Sequence, residues 1–525
     1  MENNNAKDPE ALSLEHAKDP TFEEALAQTK FGLFNYLLIA VSGTILTAVL
    51  LETLGISYVV AVAECDLDLS TQQKGVLGAV AFAGVIISSH LWGFLADTRG
   101  RRRVIVPTLF AAFASTVASS LMTNFWAMAA CRFMTGFFIS GSSATIFAYL
   151  GEYHTSQYGS RSIMGASAVF GLGGLLLPGV AFVVINQTWQ VTIPFVEIVY
   201  RPWRLFLVVC GLPSLFSAIA LLGVPESPKF VFSQGNSKEA IETIKWMHRM
   251  NVGKKEAPLE IQRIVASSDE GQLSTESNSM WEQIWQQTAP LFRGSYLKRT
   301  TIVCILQFGS SLAAQGMYMF FPGILNQMAQ AQDAGIHRTT VCQVVYAHRN
   351  STEQSDYQQN CSQTLDLSTY GYSFILEAIY TVGFALIGVI INIVGRLSIL
   401  VFVFTCCAVA GLLVIFVNIP LLAIWFYLIL LLCGFCTNVV GAITVDLYPT
   451  NLRAMAVCIS MMVGRLGSVV GANLLGFLLD SQCELTFAIP GTFLLVCGML
   501  SFFIPGITAG RRPKEEEKVE ATTNE

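Results

Sequence analysis

The chain has 525 residues, 53% of them hydrophobic and 13% charged, with a formal net charge of −5 and a mean hydropathy of +0.55. Soluble domains carry about 25% charged residues, so an ordinary soluble protein is excluded, and so small a net charge argues nothing for a nucleic-acid partner. Apolar stretches of about 20 residues recur from Phe31 to Ile507, which a bilayer requires and a soluble core does not.

Residues 1–30 are polar and acidic, with no apolar core of the kind a secretory signal needs, and read as an N-terminal tail. Six apolar spans follow near 32–60, 74–95, 102–122, 124–149, 163–186 and 204–223. The first is long for one crossing, which implies tilt or an extension beyond the bilayer. Residues 224–299 are polar, and SKEAIETIKWMHRMN within them has helical periodicity, so this central loop is expected to be part helical. Six more spans lie near 300–324, 371–394, 398–418, 421–445, 455–479 and 485–508, with a polar loop at 325–370 and a tail at 509–525. The expected organisation is therefore a tail, a six-helix half over 31–223, the loop 224–299, a second half over 300–508, and the closing tail.

Lysine and arginine placement orients this array. With both termini cytoplasmic, 24 of the 31 basic residues fall inside and Lys74, Arg201, Arg204, Arg338 and Arg349 fall outside. The three N-x-[ST] sequons, at Asn186, Asn350 and Asn360, then lie in outer loops, as glycan acceptors must. Asn186 stands close to its helix end. Cys342 and Cys361 share the 325–370 loop, where an oxidising face permits a disulfide between them.

The two halves repeat. Gly93-x3-Asp97-x2-Gly100-Arg101 recurs with identical spacing as Gly388-x3-Asn392-x2-Gly395-Arg396. Glu152 precedes Arg161 as Asp446 precedes Arg453, and duplicated halves around a midplane site suit alternating access. No phosphate-binding loop, metal-ligand spacing or nucleophile arrangement is visible, so neither an enzyme, a cofactor nor an ATP-driven pump is expected.

GFLADTRGRRR at 93–103 resembles the signature loop of the major facilitator superfamily; PESPK at 225–229, with Glu226, and DLYPTNLR at 446–453 are similar to motifs of its sugar and organic-ion branches. TFEEAL, FGLFNY and MYMFFPGIL resemble the synaptic vesicle glycoprotein 2 and related transporter-like proteins, although the 325–370 loop is short for that branch. The resemblance implies an all-α membrane fold of twelve helices in two six-helix pseudo-repeats. It further implies a cavity lined by helices 1, 4, 7 and 10, and a cytoplasmic latch joining Asp97 and Arg101 to a facing helix end.

Ionisable residues at membrane depth are costly and mark function by default. Glu52 could hold a cationic solute or a proton, or be a paired carboxylate; Arg132 could bind or anchor helices. Arg465 could attract an anion or hold a buried acid, and Glu377 could act or merely sit at the outer interface. Gln307, Gln315, Tyr318 and Asn438 are the uncharged candidates. Gly93, Asp97, Gly100, Arg101, Glu152, Arg161, Glu226, Asp446 and Arg453 form the expected cytoplasmic gate. The expectation is a monomeric secondary carrier of a small organic solute, with proton coupling an option, in the plasma or a vesicle membrane. A transporter-like protein that traffics or binds without transporting is the alternative. The bilayer is the expected partner and nucleic acid is not.

Overall fold

A computed structural model describes residues 20–193, 198–253, 259–265, 285, 288–336, 338–354, 364–448 and 450–504. Polar punctuation sets the helix ends. Ser70 and Gln73 exchange backbone and side-chain hydrogen bonds in a capping box that opens the second span, and the Asn124 side chain accepts from the Trp126 amide to open the fourth. Pro202 and Pro420 start the sixth and tenth, where a missing N–H costs nothing.

Among the described residues, eleven helices are long and apolar enough to cross a bilayer: Leu33–Val62, Thr71–Arg99, Arg101–Ser120, Phe125–Glu152, Ser156–Ile185, Pro202–Leu222, Leu367–Ile391, Arg396–Phe416, Pro420–Val445, Met455–Ser481 and Cys483–Ser501. A twelfth crossing is a bent pair, Tyr296–Tyr318 and Phe321–Asp333, meeting at 45°. This is the seventh span, expected to end near 324. It breaks at Met319–Phe320 because Pro322 cannot continue the ladder, then resumes for 13 residues. The long first run is likewise two pieces, Leu33–Leu54 and Ile56–Val62, joined at Gly55.

The array divides into two halves of six. A short hairpin, Val191–Ile193 against Ile198–Tyr200, follows the fifth span and had no clear signal in the sequence. The periodic stretch of the central loop forms the helix Ser237–Val252, whose apolar face buries Ile241, Ile244 and Met247. It is tied to the first span: the Asn251 side chain donates to the Lys30 carbonyl at 2.7 Å and accepts from the Phe34 amide at 3.0 Å. Phe22 of the short helix Phe22–Ala27 stacks on Phe232, so the end of the N-terminal tail belongs to this layer.

One expectation is corrected. Cys342 is bonded to Cys483 rather than to Cys361, closing a separation of 141 residues. The helix Val341–Gln354 lies against the twelfth span, where the Tyr346 hydroxyl accepts from the Cys483 amide at 2.8 Å and so fixes the approach of the two cysteines. Cys361 and Asn360 lie outside the described residues, as do residues 1–19 and 505–525.

Candidate functional site

The halves meet from the end of the bundle opposite the chain termini down towards its middle. The Tyr58 and Tyr370 rings stack at 6.4 Å, the Tyr370 hydroxyl donates to Asn186 Oδ1 at 2.9 Å, and Thr381 donates to the Gly171 carbonyl at 2.9 Å. Glu377, 5% exposed, accepts from the Tyr318 hydroxyl at 2.9 Å while its other oxygen lies against Gly174 of the first half. Asn186 thus spends its side-chain oxygen on an inter-half bond. Asn350 lies in the helix Val341–Gln354.

Further contacts lie at mid-depth. Arg465 of the eleventh span reaches across to Ser89 of the second, Nη1 to Oγ at 3.0 Å. The Ser468 hydroxyl bonds the Gln315 side-chain oxygen on the neighbouring seventh span, and Ser310 donates to the Cys433 carbonyl at 2.9 Å. Gln307 is buried with its oxygen unpartnered, and its amide nitrogen approaches the Met461 sulfur at 3.4 Å. Asn438 is exposed on the tenth span. Five of the expected site residues, Gln307, Gln315, Asn438, Arg465 and Tyr318, therefore sit on the seventh, tenth and eleventh spans of one half, with Ser89 supplied by the other.

Glu52 and Arg132 are placed elsewhere. Both are 1% exposed and lie 3.3 Å apart inside the first half, among the first, third and fourth spans. Thr116 donates to the Glu52 carboxylate at 2.7 Å and accepts from Arg132 Nη2 at 2.8 Å; Arg132 Nε donates to Ser119 at 3.1 Å. Every strong group of the pair is satisfied locally, which is the arrangement a buried charge needs to persist.

The terminal-bearing end carries the signature loop. Gly100 has φ +110°, and a Cβ there would stand 2.4 Å from Glu226 Oε2, so glycine is required twice over. Gly395, its counterpart in the repeat, has φ +89°. Glu226 then caps the third span, accepting from the Arg102 and Arg103 amides at 2.9 and 3.2 Å, a favourable end for a carboxylate. Arg101 bridges Glu152 at 3.0 Å and Asp97 at 3.2 Å and lies over the Phe230 ring. The Tyr149 and Tyr153 hydroxyls both donate to the Pro225 carbonyl, locking PESPK under the fourth span.

All of these bonds lie within the first half or join it to the start of the central loop. Asp97 is 74% exposed, and among the described residues its contact is with Arg101 of its own loop. Arg161 is exposed and Gly93 has open space beside it. In the second half Arg396 donates to the Ala442 carbonyl and Arg299 to the Leu447 carbonyl, and Arg453 has a buried Nε without a partner. The side chain of Asp446 lies outside the described residues.

Tyr58, Ser89 and Tyr370 were not anticipated. The over-long first run was the one signal for Tyr58; a lone serine and tyrosine in apolar spans give none.

A family model described as Sugar (and other) transporter matches residues 25–348, and one described as Major Facilitator Superfamily matches residues 362–524. Synaptic vesicle glycoprotein 2B of Homo sapiens is 27% identical over 324 residues, 58% of this chain and 47% of that protein. Synaptic vesicle glycoprotein 2A of Rattus norvegicus is 27% identical over 330 residues, 59% of this chain and 44% of that protein. The chain spans about half the length of the curated relatives it matches. Among solved structures, the xylose transporter XylE from E. coli in its inward-open conformation superposes with a TM-score of 0.61 at 15% identity, covering 93% of this chain and 98% of that one. A mutant form of the nucleoside transporter NupG gives 0.60 at 12% identity, covering 90% and 100%. At these identities the likeness is one of fold.

Proposed function

Given that the chain belongs to the sugar (and other) transporter family of the major facilitator superfamily, we propose that it is a secondary carrier moving a small organic solute by alternating access. Both termini lie in the cytoplasm in this reading, as the basic-residue bias indicates. One observation carries it most. The described bonds between halves run from the far end down to Ser89 and Arg465, while the gate residues at the terminal-bearing end bond within their own halves. That is the arrangement of a carrier open to the cytoplasm, with its polar mid-depth groups at the head of the opening.

Arg465 is the solute anchor in this reading. It is a cation at membrane depth whose described hydrogen bond is to a neutral serine, so an anionic or strongly polar group on the solute completes it. Glu377 is the group for proton coupling: a buried carboxylate at the meeting of the halves whose described hydrogen bond comes from a hydroxyl.

Uptake into proteoliposomes, measured over a solute panel with and without a pH gradient, tests the proposal. Arg465→Ala should abolish uptake while the protein remains monodisperse. Absence of flux for every solute, with folded protein, would instead favour a vesicle or plasma-membrane protein that no longer transports; the names of the synaptic vesicle relatives support a vesicle membrane as its place.

A further inference from the structure

The second and third spans both pack closely on the fourth but diverge from one another, because each is fixed to the fourth by its own contacts. Trp92 Nε1 donates to the Phe137 carbonyl at 2.7 Å on one side, and Gly141 lets Thr108 approach on the other. Between them runs a groove of about 880 Å³ at the terminal-bearing end.

Its deeper walls are mainly apolar, with Thr98 and Thr108 among them, and Glu226, Gln234, Asn236 and Glu239 line it as well. Trp92 and Leu95 come from the second span, Pro107 and Ala111 from the third, and Phe138 forms the floor. The indole nitrogen is already satisfied, so Trp92 offers the groove an apolar ring. At the mouth stand Arg99 and Arg103, both exposed; among the described residues neither guanidinium has a hydrogen bond or an ion pair.

The other charged side chains at this level have hydrogen-bond partners, although the two carboxylates among them are bonded by neutral amides. Arg102 donates to the Leu221 and Leu222 carbonyls, Glu226 caps the third span, and the Glu239 carboxylate accepts from the Asn236 amide at 2.7 Å. At a rise of 1.5 Å per residue, the apolar wall reaches roughly 10 Å below Arg99 to Trp92 and roughly 12 Å below Arg103 to Ala111.

From this geometry we propose that the groove is a binding site for one anionic phospholipid, its phosphate between Arg99 and Arg103 and one acyl chain lying along Trp92, Pro107 and Ala111. The occupant follows from charge and depth together. Two free cations at headgroup level attract an anionic head, and an apolar slot of this length directly beneath them suits hydrocarbon rather than a soluble anion. The leaflet is the cytoplasmic one if the proposed orientation holds; the site itself does not depend on transport or its direction. Its mouth includes Phe230, whose ring lies under the Arg101 guanidinium, so the bound lipid would brace the gate loop from the bilayer side.

Native mass spectrometry of the full chain tests this. Detergent-solubilised protein is incubated with phosphatidylserine or with phosphatidylcholine of the same acyl chains. The parent protein should retain one phosphatidylserine in preference to phosphatidylcholine. The double variant Arg99→Gln/Arg103→Gln should lose that preference by about an order of magnitude, since each basic residue near a headgroup contributes several-fold. Among the described residues these two side chains hold no hydrogen bond or ion pair, so the variant should fold as the parent does.

Ala111→Trp, which fills the slot, should weaken both lipids alike. An unchanged lipid ratio in the arginine variant overturns the proposal. So does retention of phosphatidylserine by a monodisperse Ala111→Trp protein, or displacement of the lipid by excess inorganic phosphate, which would reduce the site to a simple anion contact.

Discussion

The Glu52 carboxylate and the Arg132 guanidinium lie 3.3 Å apart with 1% of each residue exposed, and both belong to the first half alone. The pair spans the first and fourth helices, with Thr116 of the third bonded to both partners. A charge pair enclosed in this way ties helices together.

Removing one member of the pair leaves the other buried and uncompensated, at a cost of about 3–5 kcal/mol. Glu52→Ala and Arg132→Ala should each lower the melting temperature strongly and cut the yield of folded protein, read by thermal-shift assay in detergent. The double variant Glu52→Leu/Arg132→Met should recover much of that loss, since well-packed apolar replacements of a buried pair are often near neutral. A single variant of parental stability with lost uptake would return the pair to the solute site.

Glu377 differs in having a hydroxyl as its described hydrogen-bond partner and in touching the opposite half at Gly174. Glu377→Gln keeps the shape and the Tyr318 contact but cannot release a proton. Uphill uptake driven by a pH gradient should be lost while solute exchange at equal pH continues. Loss of both, with intact protein, would assign Glu377 to solute binding or to the closure itself.

Asp97 is 74% exposed and held at 3.2 Å by Arg101, which is already committed to Glu152. In the proposed cycle it finds the facing helix end only when the cytoplasmic side closes. Asp97→Asn should therefore lower turnover more than it changes apparent affinity, and should leave stability within about 0.5 kcal/mol, as exposed substitutions do. Uptake kinetics over a solute range separate the two effects.

His154 lies just beyond the fourth span, 6% exposed, with Nδ1 donating to the Leu150 carbonyl at 2.7 Å and Nε2 buried without a partner. Burial holds its pKa below the ordinary histidine value, against the smaller upward pull of the Leu150 bond. The unfolded chain then takes up the proton first as pH falls, so stability is full above the unfolded pKa of about 6.5 and declines below it. Melting temperature should fall between about pH 7.5 and pH 5.5, and His154→Asn should flatten that fall. An identical profile in the variant would assign the acid sensitivity to other groups.

What the sequence discloses follows from what each contact requires. Span positions were legible because about 20 apolar residues are needed at every crossing regardless of partner. The place of Gly100 was legible from the repeated spacing, while the positive φ and the carboxylate at contact distance that require glycine there emerge only from the fold. The roles of Glu52 and Arg132 were not: their placement inside one half depends on the rotation of three helices, which a uniformly apolar span does not encode. The Cys342–Cys483 bond was hidden for a related reason. Cys361 is nearer in sequence, and only the docking of the helix Val341–Gln354 against the twelfth span brings Cys483 within reach.

The break at Met319–Phe320 has a mechanical consequence. The short piece Phe321–Asp333 packs against both the first-span extension Ile56–Val62 and the eighth span, so it is wedged between the two halves like a keystone. The longer piece Tyr296–Tyr318 packs chiefly within its own half. If the halves rock, one crossing is pulled by two masters, and the 45° elbow is where the mismatch must be taken up. The moving parts of such a carrier would be three rather than two, and stiffening the elbow would jam the outer door without touching any residue that meets the solute.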